Sequence, residues 1–130
     1  LYSFAGKYRD VNISKGGFAF PASRFLTETM KEFEIEVLSK LPNKYYNKED
    51  LIKDISHVHA ELLFIHPFRE GNGRTARILA NLMARKQNYD PLKFDLISDH
   101  EFESYVIAVQ SSADKNYEKM EKLIRFIFPD

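Results

Sequence analysis

The chain has 130 residues, a formal net charge of zero and no cysteine, and 44% of its residues are apolar. The length fits a single domain, and eleven Phe and seven Tyr are enough to build a core. The lack of cysteine excludes disulfides and thiolate metal sites. Because no block of like charges is present, nucleic acid is a poor candidate partner. No apolar run approaches the roughly 18 residues of a membrane helix, so the sequence predicts a soluble chain with no membrane partner.

A β-hairpin is the first element that the sequence predicts, over residues 11–20. Apolar and polar residues alternate on both sides of the turn sequence Ser-Lys-Gly-Gly at positions 14–17, and Pro21 ends the segment. A lone hairpin is only marginally stable in water, so this one is expected to pack on the rest of the domain. Its outer edge then stays exposed and could bind an extended peptide.

From Ser23 onward the apolar residues recur at helical spacing. The pattern predicts helices from Ser23 to Leu41, from about Asn47 to His66, from Asn72 or Gly73 to about Gln87, and near residues 100–111 and 116–128. The apolar positions that define these helices include Phe25 in the first and Ile78, Leu79, Leu82 and Met83 in the third. Pro67 disfavours helical geometry in the residue before it, which places His66 at the exit of the second helix.

The fold class is therefore mainly α. A helical core over about residues 22–128 carries one small hairpin flap over about residues 8–21, and the whole chain 1–130 forms one domain. Because the chain opens at Leu1 rather than Met, we expect it to be a processed or excised fragment.

Twelve consecutive residues, 66–77, hold the groups that nucleotide chemistry needs. A histidine can accept a proton and a carboxylate can hold Mg²⁺, while arginines can neutralise charge on a leaving pyrophosphate. Asn72 and Gly73 lie where a loop becomes a helix, so their unpaired backbone amides and the helix dipole are expected to point at an anion. Gly71 and Gly73 lack a Cβ, which lets phosphate approach the backbone and permits positive φ.

The other residues of this run have both functional and structural interpretations. Arg74 and Arg77 are three residues apart in the first turns of the helix, so both can reach one polyphosphate, although surface ion pairing is the usual explanation for such a pair. Glu70 can hold a Mg²⁺ ion that bridges two phosphates, or it can favour the helix start through the dipole. Phe68 carries no polar group and is expected to anchor the loop in the core.

A zinc site built from histidines is excluded by helix geometry. His57 and His59 are two residues apart and point about 200° away from each other, while His59 and His66 are separated by roughly 10.5 Å along the axis. No thiol is available to replace one of them. One tetrahedral zinc ion therefore cannot collect all three imidazoles.

The run 66–77 resembles the signature of the Fic family, His-x-Phe-x-(Asp or Glu)-Gly-Asn-Gly-Arg-x-x-Arg, at every specified position. The matching residues are His66, Phe68, Glu70, Gly71, Asn72, Gly73, Arg74 and Arg77. Residues 6–21 resemble the strand-turn-strand segment that precedes this signature. The resemblance implies a Fic fold and a protein adenylyltransferase, which transfers AMP from ATP to a Ser, Thr or Tyr hydroxyl of a target protein.

The same resemblance implies roles for individual residues. His66 is the general base that takes the proton of the target hydroxyl as its oxygen attacks the α-phosphate, and pyrophosphate leaves. The hairpin is a flap that aligns the target segment beside the nucleotide, through Lys15, Gly16, Gly17, Phe18, Ala19 and Phe20. The resemblance implies ATP as co-substrate and Mg²⁺ as the metal. A need for ATP argues for a cytoplasmic protein, or one delivered into another cell if the chain is part of an effector.

Several alternatives stay open. Doc kinases carry Ala-Asn-Lys where this chain has Gly-Asn-Gly and transfer the terminal phosphate, and some relatives use other nucleotide-containing donors. A non-catalytic module that binds a nucleotide or a partner is the alternative outside the enzymes, and the presence of His66 and Glu70 argues against it.

Inhibition is a separate question. Adenylylating members of the family are commonly restrained by a helix bearing Ser/Thr-x-x-x-Glu, whose glutamate pairs with the second signature arginine. No Ser or Thr of this chain is followed by Glu at that spacing. An inhibitory element is therefore expected on a small antitoxin, or on a segment outside this chain, and its partner would be Arg77.

Overall fold

A computed structural model of the protein describes residues 3–130. In this range the elements are β1 (Ser14–Lys15), β2 (Phe18–Ala19), α1 (Leu26–Glu36), α2 (Lys48–Ile65), α3 (Asn72–Lys86), α4 (Asp99–Gln110) and α5 (Glu118–Ile127). Short 3-10 turns occupy Ser23–Phe25, Leu38–Lys40, Phe94–Leu96 and Ser111–Asp114. The mainly α class with one small hairpin is confirmed, and α4 and α5 begin and end within two residues of their predicted bounds. None of the helices in residues 3–130 combines the length and apolar character needed to cross a membrane.

Helix α2 is the centre of the fold. It contacts α1, α3, α4 and α5 and is buried along most of its length, as expected of a helix with apolar residues on several faces. Its start is fixed by Asn47, whose side chain accepts a hydrogen bond from the backbone amide of Asp50 at 2.9 Å. Each fully buried Leu or Ile of this helix stabilises the fold by roughly 1.5–3 kcal/mol. The predicted limits of α2 are confirmed.

Helix α3 packs on α2 through alanines. Ala76, Ala80 and Ala84 are at most 1% exposed, whereas Ile78 and Leu82 are 60% and 56% exposed. Of the four apolar residues that predict this helix, Leu79 and Met83 pack against the core, whereas Ile78 and Leu82 do not. Small side chains at four-residue spacing let two helix axes approach closely, and the larger residues are then displaced to the outer side.

The first predicted helix is interrupted. A 3-10 turn precedes α1, the helix ends at Glu36, and a second 3-10 turn follows before Leu41 becomes extended. The extended Leu41 is explained by Pro42, which disfavours helical geometry in the preceding residue. Phe25 lies outside the core at 50% exposure, with the Arg24 guanidinium 4.8 Å from its ring centroid.

The hairpin has shorter strands and a tighter turn than predicted. Lys15 pairs with Phe18, so the turn consists only of Gly16 and Gly17, with φ of 56° and 82°. Two consecutive residues with positive φ form the turn whose twist suits a two-residue hairpin, and two glycines adopt it without strain. Ser14 therefore belongs to β1 and not to the turn, as does Lys15.

Candidate active site

A groove of about 580 Å³ lies between the hairpin, the exit of α2, the start of α3 and the side of α4. His66, Gly73 and Arg77 from the signature run line it together with four hairpin residues. These hairpin residues are Lys15, Gly16, Phe18 and Phe20. The opposite wall is mostly apolar and comes from α4, through residues such as Phe102 and Val106. The structure thus brings the predicted base, one predicted arginine and most of the predicted flap to one cavity.

His66 ends α2 in a left-handed conformation, with φ of 53° and ψ of 57°. Its backbone amide still donates to Leu62 at 3.0 Å, and Pro67 then directs the chain away from the helix axis. Positive φ is uncommon for a residue with a side chain and needs support from its surroundings. The helix exit predicted from the His-Pro sequence is confirmed, and it turns the imidazole into the groove.

The hydrogen bond of the His66 ring defines its tautomer. Nδ1 lies 3.3 Å from the carbonyl oxygen of Leu63, and a carbonyl can only accept, so Nδ1 carries the proton. Nε2 then holds the lone pair, and no described residue is hydrogen-bonded to it. The ring of Phe20 from the hairpin stacks on the imidazole, with centroids 4.3 Å apart and planes inclined by 20°.

The surroundings of His66 favour its neutral form. Burial lowers the pKa of the imidazole, the hydrogen bond to Leu63 opposes this shift, and the nearby charges of Lys15 and Arg9 add to it. An imidazole whose pKa lies below the usual value is unprotonated at neutral pH. It is therefore in the form that accepts a proton.

The loop before α3 is held by the side chain of Asn72. This amide is 3% exposed, accepts from the backbone N–H of Phe68 at 2.8 Å and donates to its carbonyl at 2.7 Å. Phe68 itself is half-buried, with its ring 6.1 Å from that of Tyr8. The two reciprocal bonds close residues 68–72 into a rigid loop. What Asn72 can offer to a ligand is its backbone amide, because its side chain is already paired.

The start of α3 presents unpaired amides. Gly71 has φ of 86°, and the first bond of the helix runs from the amide of Thr75 to the carbonyl of Gly71 at 2.9 Å. The amides of the three residues between them have no acceptor inside the helix, so they and the dipole favour an anion. Of the two glycines, only Gly71 uses positive φ. Gly73 has no atom within 4 Å of where a Cβ would lie, which leaves space beside it in the groove.

Arg74 and Arg77 line different cavities. Arg77 lines the groove with His66, whereas Arg74 lines a smaller cavity of about 260 Å³ with Glu70 and Phe68. The structure does not bring both side chains to one cavity, and a shared role of the two arginines on one polyphosphate stays a prediction.

Beside Arg77 lies a buried hydrogen-bonded chain of Tyr105, His59 and the Ala76 carbonyl, which the sequence did not reveal. His59, which is 1% exposed, has Nδ1 3.2 Å from the carbonyl of Ala76 and Nε2 2.6 Å from the hydroxyl of Tyr105. Since the carbonyl can only accept, Nδ1 carries the proton and the Tyr105 hydroxyl donates to Nε2. Burial raises the pKa of Tyr105, and the Arg77 guanidinium beside its oxygen partly offsets this rise. Arg77 also lies over the ring of Phe94, 5.4 Å from its centroid.

The three histidines considered for zinc have separate surroundings. His57 packs on Tyr117, with ring centroids 4.3 Å apart. His59 belongs to the buried chain with Tyr105, and His66 lines the groove. Within residues 3–130, no group of three or more metal-ligating side chains forms a metal site.

This fold and this site define a helical domain in which a histidine with an available lone pair shares a groove with an anion-binding helix start. The chain matches the sequence model described as Fic/DOC family over residues 1–84, and it belongs to that family. The resemblance drawn from the signature run is thereby confirmed.

Two relatives are similar over much of the chain. Identity is 29% over 123 residues with a protein named protein adenylyltransferase Fic from Nematostella vectensis, covering 95% of this chain and 26% of that protein. Sequence identity is 30% over 101 residues with a protein of the same name from Aedes aegypti, and this match covers 78% of this chain and 19% of that protein. The chain thus spans about a quarter or less of the length of these relatives.

Solved structures share the fold. The BepC effector of Bartonella tribocorum, solved with bound AMPPNP, superposes with a TM-score of 0.79 at 20% identity, covering 99% of this chain and 68% of that one. The N-terminal FIC domain of Bep8 from Bartonella sp. 1-1C superposes with a TM-score of 0.80 at 18% identity, covering 98% of this chain and 65% of that one. The Fic fold is confirmed.

Proposed function

We propose that the protein is an adenylyltransferase that transfers AMP from ATP to a Ser, Thr or Tyr hydroxyl of a target protein. One observation carries this proposal: the imidazole of His66, whose pKa is lowered by burial, lines the same groove as Gly73 and Arg77. A base and an anion-binding helix start then act on one substrate. The relatives named protein adenylyltransferases and the AMPPNP-bound neighbour support ATP as the donor.

In this reaction His66 accepts a proton at Nε2. The target oxygen forms a bond to the α-phosphorus as the bond from that phosphorus to pyrophosphate breaks, and the hydroxyl proton passes to Nε2. The backbone amides of residues 72–74 and the Arg77 guanidinium stabilise the charge on the phosphates. Little covalent work falls to the protein, so positioning and charge stabilisation carry the catalysis.

A Mg²⁺ ion fits the residues present on one condition, that the nucleotide supplies most of its ligands. Glu70 is exposed, precedes Gly71 and lines the smaller cavity with Arg74, and it is the carboxylate that would hold the ion together with phosphate oxygens and water. When bound, Mg²⁺ neutralises charge on the phosphates. Glu70→Gln should therefore raise the Mg²⁺ concentration needed for half-maximal transfer, and a chelator should stop transfer.

The hairpin is the proposed flap for the target. Lys15, Gly16, Phe18 and Phe20 lie along one side of the groove, and the stacking of Phe20 on His66 brings this end of the hairpin next to the base. Gly17 and Ala19 do not line the groove. An extended target segment paired with the hairpin would present its hydroxyl to Nε2. We further propose that an inhibitory helix or a small antitoxin acts on Arg77, whose side chain is exposed in the groove.

Mass spectrometry tests the proposal directly. The protein is incubated with ATP and Mg²⁺, alone and with cell lysate, beside His66→Ala and the matched control His100→Ala, an exposed histidine at the start of α4. The expected result is an AMP adduct that needs His66 and not His100. A phosphate adduct would show that the enzyme is a kinase and not an adenylyltransferase. An adduct that persists in His66→Ala would remove the histidine from the mechanism.

A further inference from the structure

Arg9 is a buried cation whose partners are backbone carbonyls. The residue is 3% exposed, and its guanidinium donates four hydrogen bonds. These run from Nε to His66 at 2.7 Å, from Nη1 to Val11 at 2.8 Å, and from Nη2 to Pro21 at 2.6 Å and Ile65 at 3.3 Å. Its backbone amide donates to the carbonyl of Pro67 at 2.8 Å. Among residues 3–130, Arg9 takes part in no ion pair.

These carbonyls belong to two parts of the site. Val11 and Pro21 lie before β1 and after β2, so they are the two stems of the hairpin. Residues 65–67 are the exit of α2, where the last carbonyls of a helix have no partner inside it. One planar group with five donors therefore ties both stems of the flap to the segment that carries the base.

The left-handed conformation of His66 needs support from hydrogen bonds such as those of Arg9. A left-handed residue between a helix and a proline is held by its surroundings and not by its own preference. The carbonyl of His66 receives the shortest Arg9 bond to this segment, and Phe20, one residue before Pro21, stacks on the imidazole. Charge-assisted bonds to four carbonyls also offset the cost of burying the cation.

We infer that Arg9 is a positioning residue, which holds the imidazole of His66 and the hairpin in one fixed arrangement so that a target hydroxyl meets Nε2. The inference rests on the proposed function. It predicts separate effects on AMP transfer and on ATP binding, because none of the hydrogen bonds of Arg9 runs to the start of α3 or to Arg77. Loss of the guanidinium should slow AMP transfer and leave ATP affinity unchanged. A residue that only stabilised the fold would change both together.

The variants are chosen to separate charge from geometry. Arg9→Lys keeps the positive charge and most of the stem but has one nitrogen in place of the planar fork, so it cannot reach both hairpin stems and the helix exit. Arg24→Lys is the matched control, since Arg24 is exposed and lies over Phe25. Arg9→Ala leaves a space that free guanidinium ion can enter.

Transfer rate, ATP affinity and thermal unfolding are measured for each variant. Arg9→Lys is expected to transfer AMP about 100-fold more slowly, the loss that a misplacement of about 1 Å causes, with ATP affinity within about twofold of the parent. Low-millimolar guanidinium, but not methylammonium, should restore part of the rate to Arg9→Ala. A parallel loss of ATP affinity, or a full transfer rate in Arg9→Lys, would overturn the inference. If Arg9→Ala does not fold, the transfer rate and ATP affinity of Arg9→Lys are enough to decide the inference.

A second readout does not depend on activity. The nuclear Overhauser effect between the rings of Phe20 and His66 should weaken in Arg9→Lys and persist in Arg24→Lys. If the parent protein shows no AMP transfer to any target, the proposed function fails, and this signal still tests Arg9. Its persistence in Arg9→Lys would refute the positioning role.

Discussion

The buried imidazole of His59 should make the free energy of unfolding fall as the pH is lowered. Burial lowers the pKa of His59 from 6.5 to about 4, the hydrogen bond to Ala76 opposes this shift, and the charge of Arg77 adds to it. In the unfolded chain the imidazole returns to its ordinary pKa. At high pH it is neutral in both states and contributes no pH dependence. As the pH falls through the unfolded pKa, only the unfolded chain takes up the proton, so stability is lost until the pH reaches the folded pKa.

The size of the effect follows from the two pKa values. A separation of roughly 2.5 pH units corresponds to about 3.5 kcal/mol over the whole window, at roughly 1.4 kcal/mol per unit. Between about pH 7 and about pH 5, the loss assigned to His59 is about 2 kcal/mol. This is a large part of the typical 5–15 kcal/mol that separates folded from unfolded domains.

Urea unfolding at these two pH values measures the loss. In His59→Gln the side-chain amide stays neutral and can still donate to Ala76 and accept from Tyr105, so this variant should lose about 2 kcal/mol less than the parent on acidification. His100→Gln changes an exposed histidine and should lose as much as the parent. If His59→Gln loses stability as steeply as the parent, the protonation of His59 is not the cause, and the account of the buried chain is wrong.

Two further predictions concern the phosphate side of the groove. Asn72→Ala removes both bonds to Phe68 and leaves a partly buried backbone amide and carbonyl unpaired. The free energy of unfolding, measured in urea, should fall by about 2 kcal/mol. An unchanged value would mean that water replaces the side chain. Tyr105→Phe removes the hydroxyl between His59 and Arg77 and should weaken ATP binding by about threefold to tenfold in a titration. Tyr89→Phe is the control for Tyr105→Phe, since the ring of Tyr89 packs on Phe128. An equal loss of ATP affinity in Tyr89→Phe would contradict a specific role of the Tyr105 hydroxyl.

Local signals predicted the backbone boundaries around the candidate site. Pro67 fixed the exit of α2 at His66, and the glycines and Asn72 marked the start of α3, because each of these residues limits the backbone within one or two positions. The hairpin was also expected, but its exact turn was not, since two adjacent glycines shorten a turn that polar composition alone suggests is longer.

Features that depend on distant contacts were not predictable. Periodicity shows that a helix has two faces, but it does not show that alanines in α3 would be chosen over Ile78 and Leu82 for the packed side. The bond between His59 and Tyr105 joins residues 46 positions apart. The partners of Arg9 are carbonyls, which every residue has, so no side-chain pattern in the sequence points to them.

The alanine face of α3 limits how this helix can diverge among related sequences. Positions 76, 80 and 84 are at most 1% exposed, so a larger side chain at any of them would push α3 away from α2 at a cost of about 1–3 kcal/mol. The same shift would carry the amides at the start of α3 out of line with His66. Substitutions can accumulate instead on the outer stripe that contains Ile78 and Leu82, which changes the surface while the anion-binding end of the helix stays in place.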